Sequence, residues 1–162
     1  MSEHYLRELD ELMGKSEWKM YQAIPVEEIG WVNAAHHLSY AKWREYLKRQ
    51  IAKTNSQSPK ITYIMYLKDY PIGVAKLKFC PGESDNVCEV AYCVRPVCRG
   101  SGLSKVMLEL LKKEASKRGH KKLIGRAHVR NVASRKTMES CGFNLVEREN
   151  LSPNKCAYEI TL

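Results

Sequence analysis

Between positions 94 and 104 the chain reads Val-Arg-Pro-Val-Cys-Arg-Gly-Ser-Gly-Leu-Ser, a strand end followed by a glycine-containing loop that opens a helix. Gly100 and Gly102 allow a ligand to approach the main chain closely. The helix that follows leaves its first N–H groups without intrahelical acceptors. Its dipole adds about 0.3–1 kcal/mol for a negative charge at that end. The chemistry this segment suits is therefore the holding of an anion such as a phosphate. It is not a P-loop, because the Gly-Lys-[Ser/Thr] ending is missing, and the third glycine of a dinucleotide fingerprint is absent. Taken alone, the segment is equally an ordinary strand–helix turn.

The elements around this loop follow from local patterning. Ile61–Leu67, Ile72–Phe79 and Cys88–Val94 are rich in β-formers and read as three strands, the first two joined by a turn at Lys68-Asp69-Tyr70-Pro71. Arg95-Pro96 ends the third, since proline has no N–H for a ladder. Val106, Met107, Leu110, Leu111 and Ala115 recur at helical spacing and give an amphipathic helix from Leu103 that stops at Gly119. A strand at Leu123–Val129 and a short helix from Val132 to Cys141 come next, with Asn131 as N-cap and Gly142 as stop. Phe143–Glu149 and Cys156–Leu162 read as two closing strands.

Near the N-terminus, Tyr5, Leu6, Leu9, Leu12 and Met13 fall at helical spacing, as do Trp43, Tyr46, Leu47 and Ile51. The N-terminal third is expected to be helical, with Ser2 and Ser39 as N-caps. Ile24–Asn33 contains Pro25 and Gly30, has no clean period, and reads as an ordered loop. The whole predicts one α/β domain, residues 1–162, in which a mixed sheet is flanked by helices.

Composition narrows the function classes. The 162 residues carry 27 Lys plus Arg against 18 Asp plus Glu, a formal charge of +9, and 44% hydrophobic residues. That is a globular composition and excludes disordered or low-complexity readings. No apolar run approaches the ~20 residues of a membrane span, and no apolar segment follows Met1, so no membrane partner and a cytoplasmic location are expected. The basic run Lys112, Lys113, Lys117, Arg118, His120, Lys121 and Lys122 has no interleaved aromatics and reads as a solvated helix face, so no nucleic-acid partner is expected. Six cysteines form no CxxC pair and read as reduced interior residues. No metal is expected, since neither the cysteines nor His36 and His37 have zinc-ligand spacing.

Arg99-Gly100-Ser101-Gly102-Leu103-Ser104 resembles the R/Q-x-x-G-x-G/A pyrophosphate loop of the GNAT superfamily of acyl-CoA-dependent N-acetyltransferases. Ser104 departs from Gly or Ala at the last motif position but is small enough to keep the loop geometry. Asn131, Ser134, Gly142 and Phe143 resemble the N-x-x-[A/S]…G-F helix of the same superfamily, and Ile72-Gly73 resembles its [V/I]-G step. The resemblance covers residues 61–162. Ile24-Pro25 followed by Glu28-x-Gly30-Trp31-x-Asn33 also resembles a loop of a bacterial subgroup of predicted acetyltransferases.

The resemblance implies a GNAT-like, mostly antiparallel mixed sheet and acetyl-CoA as cosubstrate. Members usually begin with a strand before the first helix; Met1-Ser2-Glu3-His4 is too short and polar to be one, so that strand is either missing or replaced. A missing strand would leave an edge on which a second copy could pair into a homodimer. The implied cofactor contacts are the backbone from Arg99 to Ser104, including Gly100, Ser101, Gly102 and Leu103, for the pyrophosphate. The strand end at Cys93 and Val94 would pair with the pantetheine arm, with Asn131 and Ser134 beside it. Asn131 and Ser134 also read as N-cap and first-turn residues, and these roles are compatible.

Acetyl transfer to an amine needs a neutral nitrogen, an aligned thioester, oxyanion stabilisation and a proton for the departing thiolate. Glu89, on the strand leading into the loop, is the candidate base. Alternation puts it on one face with Ala91 and Cys93, with Val90 and Tyr92 on the other. Many relatives carry a tyrosine acid seven residues after the motif asparagine; here that position is Met138, which cannot donate a proton and reads as core. Tyr158, Tyr92, Cys141 or water are the alternatives. The acceptor is a small-molecule or protein amine, with Glu28 and Asn33 as candidate contacts; both also read as loop surface. The +9 charge disfavours polycationic acceptors. The alternative to an enzyme is a catalytically idle acyl-CoA-binding or sensing module.

Overall fold

The central strands have no inside/outside alternation because helices cover both faces of the sheet. The computed structural model describes residues 3–28 and 31–162, with Glu28 and Trp31 described as backbone. In chain order the elements are β1 (His4–Glu8), α1 (Lys15–Ala23), β2 (Glu27–Glu28), β3 (Trp31–Val32), α2 (Tyr40–Ala52), β4 (Lys60–Leu67), β5 (Tyr70–Phe79), β6 (Val87–Val94), α3 (Leu103–Lys117), β7 (Lys122–His128), α4 (Val132–Ser140), β8 (Asn144–Val146) and β9 (Lys155–Thr161). Among the described residues seven strands form one sheet in the order β1-β4-β5-β6-β7-β9-β8. Every pairing is antiparallel except that of β6 with β7.

Two apolar layers sandwich the sheet. On one face Tyr63, Met65, Leu77 and Val90 pack with Met107, Leu108 and Leu111 of α3 and Met138 of α4. On the other Ile64, Val74 and Cys93 pack with Met20 and Tyr21 of α1 and Trp43 and Leu47 of α2. The Ser39 hydroxyl accepts from the Lys42 N–H at 3.3 Å, capping α2 as its sequence position suggested. Ser2 lies outside the described residues. Glu17 fixes the start of α1: its carboxylate accepts from the Gly14 N–H and from the Tyr66 hydroxyl, both at 2.8 Å.

The N-terminus corrects the helical expectation. His4–Glu8 pairs along its whole length with β4, from His4 opposite Leu67 to Glu8 opposite Tyr63. Tyr5 stacks on Tyr66 with ring centroids 5.3 Å apart, while Leu6 packs with the α3 layer. The spacing of Tyr5, Leu6, Leu9, Leu12 and Met13 imitates a helix, but Leu12 is 88% exposed and Leu9 and Met13 are buried from the turn that follows. The first strand is thus present, and the reason for expecting a second copy on an open β4 edge falls away. The loop at 24–33 contains a two-residue hairpin, β2 with β3, closed by the Asn33 N–H to the Val26 carbonyl at 2.8 Å. None of the six cysteines is in a disulfide. Among the described residues no helix is long and apolar enough to cross a membrane.

Candidate active site

The parallel pairing of β6 with β7 runs only from Val87 opposite Lys122 to Val90 opposite Gly125. Beyond it β6 continues to Val94 and β7 to His128 without pairing each other, so the sheet opens into a wedge. A cleft of about 610 Å³ lies at that opening. One wall is the end of β6, from Tyr92 to Val94; the floor is the loop and first turn of α3; the other wall is the first turn of α4.

Glycine builds the floor. Gly100 has φ +89° and Gly102, the N-cap of α3, has φ +76°, and a Cβ at either would meet nothing within 4 Å. Both therefore border open space in a conformation that side chains rarely adopt. No side chain caps α3. Its first-turn residues Leu103, Ser104 and Lys105 line the cleft, where unpaired N–H groups suit an anion. The residues present thus fit the pyrophosphate of CoA. Arg99 folds back on the strand it follows: its Nε donates to the Val94 carbonyl at 2.9 Å and its Nη2 lies 3.8 Å from the Cys93 Sγ. Ser101 does not line the cleft; its hydroxyl donates to the Cys98 carbonyl at 3.3 Å and closes the loop from outside.

A second glycine sets how closely the neighbouring strand can approach. A Cβ on Gly73 would lie 2.3 Å from the Cys93 carbonyl oxygen and 3.0 Å from the Val94 Cα. Only glycine lets β5 lie against the very segment that lines the cleft.

On the far wall Asn131 caps α4, its Oδ1 accepting from the Ser134 N–H at 3.1 Å. Asn131, Ala133, Ser134 and Thr137 border the cleft. The Tyr92 hydroxyl crosses the opening to lie 3.1 Å from the Ser134 Oγ. Burial pushes that phenol up to about 12, against a lowering by the Ser134 hydrogen bond, so Tyr92 is a neutral hydroxyl at physiological pH. Sequence alternation separates Tyr92 from Glu89 but gives no sign of the α4 turn opposite, so its place in the cleft could not be read from the chain.

The other acid candidates are occupied elsewhere. Tyr158 is fully buried, donates to Glu139 at 2.8 Å and accepts from the Arg135 Nε at 3.1 Å. The Cys141 thiol is buried against the Lys105 carbonyl, and burial pushes it up to about 11. Neither lines the cleft. Met138 is 1% exposed, and its Sδ would lie 2.4 Å from a Cβ on Gly125, the last β7 residue paired with β6. Met138 therefore fills the core at the fork of the strands.

Glu89 and Asn33 lie apart from the cleft lining. Glu89 forms ion pairs with Arg126 and with Lys78, the latter at 3.3 Å, on the sheet face covered by α1 and α2. Asn33 is 5% exposed, donates to the Tyr21 and Ile24 carbonyls at 2.7 and 2.9 Å, and accepts from the Ala35 N–H at 3.1 Å. Its amide holds the 24–35 loop to the end of α1, which corrects the loop-surface reading. The Glu28 side chain lies outside what the structure describes.

Residues 6–144 match the family model described as an acetyltransferase (GNAT) domain. No curated protein matches the chain. Among solved structures, RimL, a ribosomal L7/L12 alpha-N-protein acetyltransferase in complex with coenzyme A, superposes with a TM-score of 0.75 at 16% identity, covering 97% of this chain and 93% of that one. The microcin C7 self-immunity acetyltransferase MccE, in complex with acetyl-CoA and AMP, gives 0.75 at 14% identity, covering 100% and 94%. A chimera of the spermidine N-acetyltransferase SpeG from Vibrio cholerae with hSSAT gives 0.71 at 15% identity, covering 99% and 96%. At these identities the likeness is one of fold.

Proposed function

The chain belongs to the GNAT acetyltransferase family, and on that basis we propose that it transfers an acetyl group from acetyl-CoA to a primary amine by direct attack in a ternary complex. The observation that carries this reading is the glycine floor of the cleft, set at an uncapped helix N-terminus where two parallel strands part. Acetyl-CoA supplies an acyl group activated as a thioester. The backbone of Gly100, Gly102, Leu103 and Ser104 holds the pyrophosphate, with Arg99 and Ser101 bracing the loop. Cys93 and Val94 lie past the last β6–β7 pair, along the cleft wall where the resemblance puts the pantetheine arm.

Two residues take the proton roles. Tyr92, neutral and hydrogen-bonded to Ser134, donates to the departing sulfur from the cleft wall. Glu89 accepts the amine's proton through water from the opposite sheet face, where Arg126 and Lys78 fix its carboxylate. The acceptor thus enters from the α1–α2 side and the cosubstrate from the α3–α4 side. The proposed partner is a small-molecule or protein amine, and the proposed location is cytoplasmic.

The second reading, an idle acyl-CoA-binding module, is favoured by one observation: Met138, at the position where the resemblance puts a tyrosine acid in many relatives, is a buried thioether that cannot donate a proton. Thiol release from acetyl-CoA in the presence of an amine panel separates the two. Amine-dependent release supports transfer; CoA binding with no release by any amine supports the module.

A further inference from the structure

The outer surface of α1 and α2 carries positive charge that the protein itself does not answer. α1 exposes Lys15 and Lys19, α2 exposes Lys42, Lys48 and Arg49, and Lys53 follows in the next turn. None of these six cations belongs to an ion pair among the described residues. Of the carboxylates on the two helices, Glu17 is buried and Glu45 alone is exposed. The helices lie side by side: Trp18 meets Tyr40 and Tyr21 meets Trp43, each with ring centroids 5.9 Å apart. The Lys15 Nζ reaches across to lie 5.8 Å from the centre of the Tyr40 ring. The cations of both helices therefore share one surface. Along α2, Lys42 and Arg49 are seven residues and about 10 Å apart on the same side.

CoA does not answer this charge either. The cleft proposed for it is floored by α3 and walled by α4, on the other side of the sheet, where Lys105 borders it. α3 also pairs part of its own charge, Lys112 with Glu109 at 3.3 Å and Lys117 with Glu114 at 3.1 Å. α1 and α2 cover the face that holds Glu89, the side from which the acceptor enters. The surface also discriminates among anions. Among the described residues neither helix has an exposed large hydrophobic side chain. It has nothing to insert into a bilayer and no open aromatic on which a base could stack. A carboxylate-bearing chain needs neither, and a polypeptide also brings the aliphatic amine that acetyl transfer requires.

We infer that the outer face of α1 and α2 docks an acidic polypeptide segment, and that the acceptor amine belongs to the protein carrying it. The inference rests on the acetyltransferase reading above and narrows its acceptor to a protein amine near a run of Asp or Glu. Complementary charge raises the encounter rate and turns away cationic chains. Each exposed ion pair contributes little and is screened by salt, so the preference comes from several cations acting together.

Peptides of equal length with an alanyl-lysyl head, a glycine-serine spacer and a tail of glutamate, glutamine or arginine test this. Fluorescence anisotropy should show the glutamate peptide bound about tenfold more tightly than the glutamine peptide, with the arginine peptide weakest and the difference shrinking as salt rises. Thiol release from acetyl-CoA should follow the same order in kcat/KM. Lys42→Glu combined with Arg49→Glu should remove the glutamate preference in both assays while leaving Tm, CoA affinity and the turnover of pentylamine unchanged. If that variant does not fold, Lys15→Gln with Lys19→Gln on α1 supplies the same reading. Lys113→Glu with Lys117→Glu on α3 makes an equal change in net charge and should keep the preference. Binding of the glutamate peptide that is lost in the α2 variant, with no thiol release by any peptide or by pentylamine, would leave the docking surface standing and sink the transfer reading. Equal binding and use of the three tails, equal loss in the α2 and α3 variants, or tighter binding of single-stranded RNA or phosphatidylserine vesicles at the same salt would overturn the inference.

Discussion

Replacing Gly102 by valine tests the anion floor through two separable quantities. Gly102 has φ +76° and ψ 14°, and a Cβ there meets nothing within 4 Å, so the change costs backbone strain and causes no clash with the protein. A non-glycine residue in that region costs roughly 1–3 kcal/mol. For a domain of this size that is a fall in Tm of about 2–12 °C. The added side chain stands where an anion would lie against the first turn of α3. Losing two charge-assisted hydrogen bonds, at about 1.5–3 kcal/mol each, should weaken CoA by on the order of 10²–10⁴-fold. Gly119 provides the control: φ is +87°, nothing lies within 4 Å, and it sits just beyond the opposite end of α3. Gly119→Val should lower Tm comparably and leave CoA affinity within threefold of the parent. Calorimetric titration of both folded variants reads the difference. Equal CoA affinity in Gly102→Val and the parent would refute the assignment of the floor.

Three further outcomes follow from the site. Glu89→Gln should lower transfer on the order of 10²-fold at neutral pH with CoA affinity nearly unchanged; an unaltered rate and pH–rate profile would remove Glu89 from the mechanism. Tyr92→Phe should lower kcat by a similar factor without altering the pH profile below about 9, because the phenol, raised to about 12, stays protonated there. A kcat within threefold of the parent would assign the proton to water. Gly73→Ala should displace the Cys93 carbonyl, lowering both Tm and CoA affinity; a stable variant with parental affinity would show that β5 does not set the cleft wall.

Most strands and helices from Lys60 onward were legible because each carries its own local pattern over seven residues or more, bounded by proline, glycine or a cap; β8 is the exception, only Asn144–Val146 pairing where a strand over Phe143–Glu149 was expected. The first strand was not, because its five residues owe their conformation to pairing with β4 rather than to alternation of their own. The anion floor was legible for a similar reason: its chemistry is contained in six consecutive residues. Tyr92 and Ser134, 42 positions apart, meet only because β6 and β7 part and α4 closes over the gap. Asn33 shows the opposite error: a polar loop residue taken for surface has its whole amide engaged by buried main chain.

Whether the cleft holds acyl-CoA is tested most directly by a thermal-shift titration with acetyl-CoA, CoA and a thioester lacking the nucleotide. A ligand bound only by the native state stabilises it by about 2.7 kcal/mol at a hundred times Kd, a rise of roughly 5–11 °C here. Both CoA species should raise Tm by that order while the control thioester does not. No shift at millimolar CoA, in protein shown to be folded, would contradict the cofactor site and the transfer reaction built on it.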